Sequence, residues 1–308
     1  MNLSQLTGQI VLMFILMLVG LLINKLGFMH AQTSTDLTNI LLYVVSPCLI
    51  INAFQQRFSA SRLQTLGLVI VGILIIYAVM IIVTQLVFRR VADPNLRRIM
   101  RYGSVYSNAG FMGIPLTSSL FGSTGVFFAV ASLAAFNIFS WTHGISLFTG
   151  RQGSRRDNLK QIILNPNIIA IIVGLVLFVT STRLPEIISN AVTYVSAINT
   201  PLSMIVIGNS LAAVKLNRET LDKRLWGVLL LRNLLFPYLT IVVLQLIGIS
   251  GVPLFTTVLM AACPVAGIVV LFTLKVHGEP GPAVALMSVS TILSIATIPL
   301  VFALTNLH

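Results

Sequence analysis

Asn108, two glycines and a proline interrupt an apolar segment that is long enough to cross a membrane. Gly110, Gly113 and Pro115 follow the asparagine within seven residues. Proline lacks an N–H and clashes with the carbonyl four residues before it, and glycine allows conformations that other residues avoid. We expect the helix to open here and to expose the N-terminus of its second half. The free N–H groups and about half a positive charge at such an end favour a bound carboxylate.

A second apolar segment, in the other half of the chain, carries a similar interruption. Pro264 and Gly267 lie in the string Cys-Pro-Val-Ala-Gly-Ile, and a shift of 154 residues places Gly113 on Gly267. One such proline is more typical of a simple kink. Two interruptions at corresponding positions instead indicate the paired broken helices between which a transporter binds its substrate. The predicted substrate site comprises Asn108, Gly110, Gly113, Pro115, Pro264 and Gly267.

Polar residues inside other apolar segments are secondary candidates for this site. Asn137 and His143 lie in the fifth segment and Asn209 in the seventh, where hydrogen bonds between helices are their alternative role. Arg232 lies about two turns into the eighth segment. We expect its side chain to extend to the cytoplasmic surface, and the alternative is that it balances an anionic substrate.

Acidic residues are absent from the middle of every apolar segment. All seven lie in loops or at segment ends: Asp36, Asp93, Asp157, Glu186, Glu219, Asp222 and Glu279. Because intramembrane carboxylates are the usual carriers of protons and sodium ions, a site without them is expected to favour an anion. The two cysteines and four histidines show no metal-ligand spacing, so we predict no metal and no cofactor.

The composition indicates what kind of element positions these residues. The chain has 56% hydrophobic and 8% charged residues and a mean hydropathy of +0.98, which is typical of a polytopic membrane protein. The formal net charge of +12 lies in short loops, which favours topology marking over nucleic-acid binding. Ten apolar segments are long enough to span the bilayer: 8–25, 37–54, 65–88, 99–121, 125–149, 162–181, 186–212, 225–248, 253–275 and 280–305.

Basic residues predict the orientation of these spans. One set of alternate loops holds 14 of them, whereas the other set holds only Arg57, Arg62 and Arg183. The more basic side should face the cytoplasm, with both termini on the outer side of the cell membrane. The 14 residues are Lys25, Arg89, Arg90, Arg97, Arg98, Arg151, Arg155, Arg156, Lys160, Lys215, Arg218, Lys223, Arg224 and Lys275.

An internal repeat divides the chain into residues 1–154 and 155–308. The same 154-residue shift places Ser46-Pro47 on Thr200-Pro201, and both prolines are expected to kink their helices rather than to contact the ligand. Since each half holds five spans, the two copies must have opposite orientations in the membrane. The sequence therefore predicts an all-α membrane protein of ten helices in two inverted repeats.

The sequence resembles the auxin efflux carrier family, which includes the plant PIN exporters and bacterial permeases for malate and malonate. The string NAGFMGIPL at residues 108–116 is similar to the family's Asn…MGIPL crossover. Asn165-Pro166-Asn167 is similar to its NPN motif, and Pro264 to its ninth-span proline. The resemblance covers essentially the whole chain, but about a dozen residues replace the long cytoplasmic loop of the plant exporters.

The resemblance implies a fold like that of bile acid symporters, with broken helices 4 and 9 that cross. Helices 1, 2, 6 and 7 would form a scaffold, and helices 3–5 with 8–10 a moving transport domain. Asn108 would contact the substrate carboxylate, and an elevator movement would carry the site across the membrane. The family analogy also suggests a homodimer.

Together these patterns predict a secondary transporter for a small organic anion, a mono- or dicarboxylate such as malate. A sodium- or proton-coupled symporter on the same scaffold is the alternative, because unwound carbonyl groups can bind sodium without a carboxylate. A membrane sensor that does not transport is disfavoured by the lack of a soluble output domain. An enzyme is disfavoured because no nucleophile–base pair or metal cluster is evident within the spans.

Overall fold

Helices form every regular element in the described part of the chain. The computed structural model describes residues 3–150, 155–212 and 222–305. These ranges contain no strand, and only one isolated antiparallel bridge joins Ser107 to Val265. The prediction of an all-helical protein is confirmed. Arg151, Lys215, Arg218 and Glu219, which were used in the charge analysis, lie outside the described residues.

Sixteen α-helices follow one another along the described residues. They are α1 Leu3–Lys25, α2 Ala31–Ile40, α3 Ser46–Phe54, α4 Ala60–Val87, α5 Pro94–Val105, α6 Ile114–Phe139, α7 Ile145–Thr149, α8 Arg155–Ile163, α9 Pro166–Val179, α10 Glu186–Ala197, α11 Asn199–Ala212, α12 Leu225–Leu230, α13 Phe236–Leu246, α14 Gly251–Ala262, α15 Ile268–Lys275 and α16 Gly281–Ala303. π-Helical turns precede α3, α6, α7 and α13 at Leu41–Val45, Ala109–Gly113, Ser140–Gly144 and Leu231–Leu235.

Many of these helices are suited to a membrane. Seven described segments are long and apolar enough to cross it, and α8 with α9, bent by 51°, would make an eighth. The predicted spans 99–121 and 253–275 are each divided into shorter helices, and α6 is bent at Gly122, where φ is 56°. A multi-spanning membrane protein is thus confirmed. The ten-helix inverted repeat and the orientation of the termini stay predictions.

π-Helical turns accommodate three of the prolines inside these segments. The turns Leu41–Val45, Ala109–Gly113 and Leu231–Leu235 precede Pro47, Pro115 and Pro237, respectively. Each of these prolines lies in the first turn of the α-helix that follows, where its missing N–H breaks no hydrogen bond. Pro201 lies near the start of α11, just after Ile198 separates α10 from α11.

α1 and α11 pack against each other at backbone distance. A Cβ atom added at Gly208 would lie 1.9 Å from the carbonyl oxygen of Met17, and one added at Gly20 would lie 2.1 Å from that of Ile205. Small residues allow such an approach, and van der Waals contacts then stabilise the pair in lipid. Asn209 accepts a hydrogen bond from the side chain of Asn24 at 2.8 Å in the same pair. Its alternative role as a helix-to-helix contact is therefore the one that the structure supports.

We expect the substitution Gly208→Ala to destabilise the protein. The added methyl group would overlap the Met17 carbonyl, so α1 and α11 would have to separate, which costs about 1–3 kcal/mol. Thermal unfolding of the purified protein in detergent should show a melting temperature lowered by several degrees. The matched control is Gly227→Ala in α12, where an added Cβ meets no atom within 4 Å. Equal effects of the two substitutions would contradict this packing argument.

Candidate functional site

Two unwound segments interrupt the predicted fourth and ninth spans. One comprises residues 106–108, between α5 and the π-helical turn that precedes α6, and the other comprises residues 263–267, between α14 and α15. We call the two segments together the crossing. The first break lies nearer the N-terminus than the sequence predicted, because Gly113 and Pro115 are already helical. A proline in a first helical turn costs no hydrogen bond, so Pro115 marks the start of a helix rather than the break.

The two segments of the crossing pair with each other through their backbones. The N–H of Asn108 donates to the carbonyl of Pro264 at 2.7 Å, and the N–H of Ala266 donates to the carbonyl of Tyr106 at 3.0 Å. Each break thus supplies hydrogen-bond partners that lipid cannot offer to the other. These contacts bring the two interrupted segments together, as expected.

The bridge also bears on how the two halves correspond. A two-fold relation at the crossing would exchange Ser107 and Val265, which are 158 residues apart. The 154-residue shift had instead matched Gly113 with Gly267. Gly267 lies in the crossing, whereas Gly113 lies beyond it. The two halves therefore do not share one ungapped register at this point.

Two polar side chains complete the hydrogen bonds of the second unwound segment. Ser290 Oγ accepts a hydrogen bond from the N–H of Val265 at 3.0 Å and donates to Oδ1 of Asn233 at 2.8 Å. Nδ2 of Asn233 donates in turn to the carbonyl of Ser290 at 3.1 Å. All three residues are buried, so each of these bonds replaces contacts with water.

Arg232 is buried beside the crossing and does not reach a surface. Its side chain is 1% exposed and donates to the carbonyls of Ser104 at 3.3 Å and Val105 at 2.8 Å, and also to that of Ala261. The expectation that it extends to the cytoplasmic surface is therefore wrong. It does not line the main cavity described next, so direct charge balance of a substrate there is not supported either.

A cavity of about 390 Å³ lies on one side of the crossing. Residues from both unwound segments and from several surrounding helices form its wall, and none of them is charged. The lining residues are Thr38, Leu42, Tyr43, Asn108, Gly110, Phe111, Leu133, Phe136, Asn137, Trp141, Gln161, Leu164, Asn165, Pro166, Asn167, Val206, Ile207, Ser210, Leu211, Ala266, Gly267, Ile268, Met287 and Thr291. Any attraction for an anion must therefore come from dipoles.

Asn108 presents an unused amide to this cavity. Its backbone is fully engaged, because the N–H bonds to Pro264 and the carbonyl accepts from the N–H groups of Met112 and Gly113 at 3.1 and 3.0 Å. Its half-buried side chain has no hydrogen-bond partner among the described residues. The side-chain NH₂ group is consequently free to donate to a ligand.

Two helix N-terminal ends also lie at the cavity wall. Gly110 and Phe111 belong to the first turn after one break, and Gly267 and Ile268 lie at the start of α15 after the other. First-turn N–H groups have no partner within their own helix, and each helix start carries about half a positive charge. The wall is therefore electropositive without containing a cation.

A chain of amides lies on the opposite part of the wall. Asn165 accepts from the N–H groups of Asn167 and Ile168 at 3.0 and 3.3 Å, which caps α9. Its Nδ2 donates to Oδ1 of Asn137 at 3.0 Å, and Asn137 donates to the Leu133 carbonyl at 2.9 Å. Asn137 is thus both a cavity residue and a helix-to-helix contact. Oδ1 of Asn167 is buried and has no partner among the described residues.

Several predicted site residues serve the packing around the cavity instead of lining it. Gly113 faces Met260, whose sulfur would lie 2.6 Å from an added Cβ atom. The carbonyl of Pro115 accepts a hydrogen bond from Thr200 at 3.2 Å, and that of Pro264 accepts from Asn108. These residues shape the crossing, whereas Asn108, Gly110, Asn137 and Gly267 line the cavity.

His143 packs behind the crossing and does not line the cavity. Its Nδ1 is 2.9 Å from the hydroxyl of Tyr106, and its Nε2 is 3.5 Å from Nε2 of Gln85. The Tyr106 hydroxyl also donates to the carbonyl of Phe139 at 3.0 Å. Since Tyr106 provides a backbone carbonyl to the crossing, His143 supports the crossing as a hydrogen-bonded packing residue.

Sequence reasoning missed part of the wall. Asn167 was noticed only as part of a family motif, and Gln161, Tyr43 and Trp141 were not considered. The motif itself carried a usable signal, because an asparagine followed by a proline is a common helix start, and Asn165 is the N-cap of α9. Nothing in the sequence indicated that this helix start faces the crossing.

Comparisons with known proteins agree with a membrane transport function. A family model described as membrane transport protein matches residues 5–302, which include the crossing and every lining residue of the cavity. An uncharacterized transporter of Methanothermobacter thermautotrophicus is 25% identical over 298 residues, or 96% of each chain. The uncharacterized transporter MJ1031 of Methanocaldococcus jannaschii is 26% identical over 255 residues, covering 79% of this chain and 80% of the relative.

We expect Ser290→Ala to destabilise the crossing. The substitution leaves the buried N–H of Val265 and Oδ1 of Asn233 without partners, at a cost of about 1–3 kcal/mol. The melting temperature in detergent should fall by several degrees. Ser288→Ala on the same helix is the matched control, because the buried Ser288 hydroxyl has no hydrogen-bond partner to lose among the described residues. A melting temperature for Ser290→Ala equal to that of Ser288→Ala would contradict this assignment.

Proposed function

Because the chain belongs to the membrane transport protein family, which is the auxin efflux carrier or PIN-like family, we propose that it is a permease for a small organic anion, a mono- or dicarboxylate such as malate. The observation that carries the proposal is the uncharged cavity at the crossing. The free amide of Asn108 and the N-terminal ends of two helices lie together there. A carboxylate accepts hydrogen bonds from such groups and is stabilised by the helix dipoles.

The dimensions and polarity of the cavity support a small ligand. Its volume of about 390 Å³ is near the lower end of small-molecule sites, which are commonly about 300–1,000 Å³. The apolar side chains of Phe111, Phe136 and Trp141 flank the amides, so a short carbon chain would contact them while its carboxylates bond to N–H groups. No lining carboxylate would repel the ligand.

An elevator movement is supported by how the cavity wall is divided. α9, α11 and the segment from α2 to its π-helical turn form one part, and the crossing with α6, α15 and α16 forms the other. Few side-chain hydrogen bonds join the two groups in the described structure. They are Asn165 to Asn137 at 3.0 Å, Thr200 to the Pro115 carbonyl at 3.2 Å and Ser119 to Gln9 at 2.6 Å. Sliding of one group along the other would break few polar contacts.

The predicted orientation supports export. Thr38, Gln161 and Leu211 lie in the parts of their helices that adjoin the basic loops, so the cavity would face the cytoplasm. With an inside-negative potential of about 100 mV, each negative charge that leaves the cell lowers the free energy by about 2.3 kcal/mol. A carrier without a coupled ion would therefore release an organic anion from the cell.

The transport proposal is tested in proteoliposomes that contain radiolabelled carboxylates. We expect vesicles with the protein to lose a labelled mono- or dicarboxylate faster than empty vesicles, and Asn108→Ala to lower the flux at least about tenfold, since one hydrogen bond to a charged group is worth about 1.5–3 kcal/mol. Asn190→Ala is the control, because Asn190 is exposed on α10 outside the cavity. No flux across a broad carboxylate panel would refute the anion assignment, and unchanged flux in Asn108→Ala would refute the role of Asn108.

A further inference from the structure

The C-terminal ends of two helices converge on one guanidinium group. α5 ends at Val105 and α14 at Ala262, on the sides of the crossing where the chain enters each unwound segment. Arg232 donates to the carbonyls of Ser104 and Val105 in the first helix and of Ala261 in the second. One side chain thus joins both helix ends, which are more than 150 residues apart in sequence.

The electrostatics of this arrangement require a cation. The last carbonyls of a helix lack intrahelical partners and together carry about half a negative charge, so two such ends present about one negative charge. In transporters with broken helices, this combination of unwound carbonyls and half-helix C-terminal ends is where sodium or a proton binds. In the present structure a guanidinium fills that position.

No carboxylate neutralises Arg232. The one ion pair among the described residues is Arg224 with Asp222 at 2.6 Å, near the start of α12. A buried guanidinium without a counter-charge would be very costly, so the helix C-terminal ends must supply its stabilisation. Nε of Arg232 has no partner among the described residues and lies at a separate cavity of about 30 Å³, which has room for a water molecule.

We propose that Arg232 is a tethered replacement for a coupling cation, which stabilises the crossing and makes transport independent of sodium. The inference rests on the proposed transport function for its second part only. Because the cation is covalently attached to the helix that carries it, the crossing is complete without an ion from solution. Arg232 is thereby a positioning residue, which acts through the two helix ends and not through contact with the substrate.

The first experiment uses purified protein and needs no substrate. Melting temperatures of the wild type and of Arg232→Ala are compared in choline chloride, in sodium chloride and with a few millimolar guanidinium chloride at equal ionic strength. We expect the wild type to be insensitive to the cation. The Arg232→Ala variant should melt several degrees lower in choline chloride, and guanidinium should restore part of the loss. An Arg232→Ala protein that melts like the wild type, or that does not respond to guanidinium, would overturn the proposal.

Arg101→Ala is the matched control for chemical rescue. Arg101 also donates to a backbone carbonyl within a membrane helix, that of Gln85 at 3.2 Å, but it does not contact the crossing. Guanidinium should therefore leave the melting temperature of this variant unchanged. An equal response in Arg101→Ala would overturn the site-specific interpretation.

The second experiment measures carboxylate flux in proteoliposomes with sodium or choline as the only monovalent cation. The wild type should transport equally in both, and Arg232→Lys, which retains the charge but bonds fewer carbonyls, should transport more slowly and still without sodium. Sodium-stimulated flux in either protein would overturn the proposal. This variant also serves if Arg232→Ala does not fold. Wild-type protein that moves no carboxylate would instead refute the transport function, while the melting experiment would still test Arg232.

Discussion

Unwound backbone inside a membrane needs a hydrogen-bond partner for each polar group, and this requirement governs the centre of the molecule. The two breaks meet it by pairing with each other, through Asn108 with Pro264 and Ala266 with Tyr106. Neither break is satisfied without the other, so the two interrupted helices must fold as one unit. Ser290 and Asn233 then provide for the amide of Val265, which the backbone pairing leaves over.

The crossing separates charge without any carboxylate. The helices that leave it begin at Ala109 and Ile268 and direct their positive ends towards the uncharged cavity. The helices that enter it end at Val105 and Ala262, and their negative ends face Arg232 on the other side. The same geometry that makes one side suitable for an anion therefore makes the other side require a cation. Arg232 and the proposed anion site are two consequences of one arrangement.

Packing outside the crossing divides into tight and loose contacts. α1 and α11 touch at backbone distance through Gly20 and Gly208, which is the contact that lipid-embedded helices use when no hydrophobic driving force is present. The two groups of helices that enclose the cavity share few side-chain hydrogen bonds, in the part of the chain described. This contrast is what a rigid support and a sliding partner would require, and it agrees with the elevator movement proposed for the protein.

The amino-acid sequence by itself determined the membrane helices, the existence of two breaks and the place of Asn108 at one of them. These features follow from hydropathy and from the backbone limits of glycine and proline, which act over a few neighbouring residues. Tertiary structure decided where each break begins, since a π-helical turn absorbs Pro115 and pairing with Pro264 keeps residues 106–108 unwound. It also brought Asn167 to the cavity and turned Arg232 away from the surface towards two helix ends. Those outcomes depend on contacts between segments more than a hundred residues apart, and local sequence holds no record of such distances.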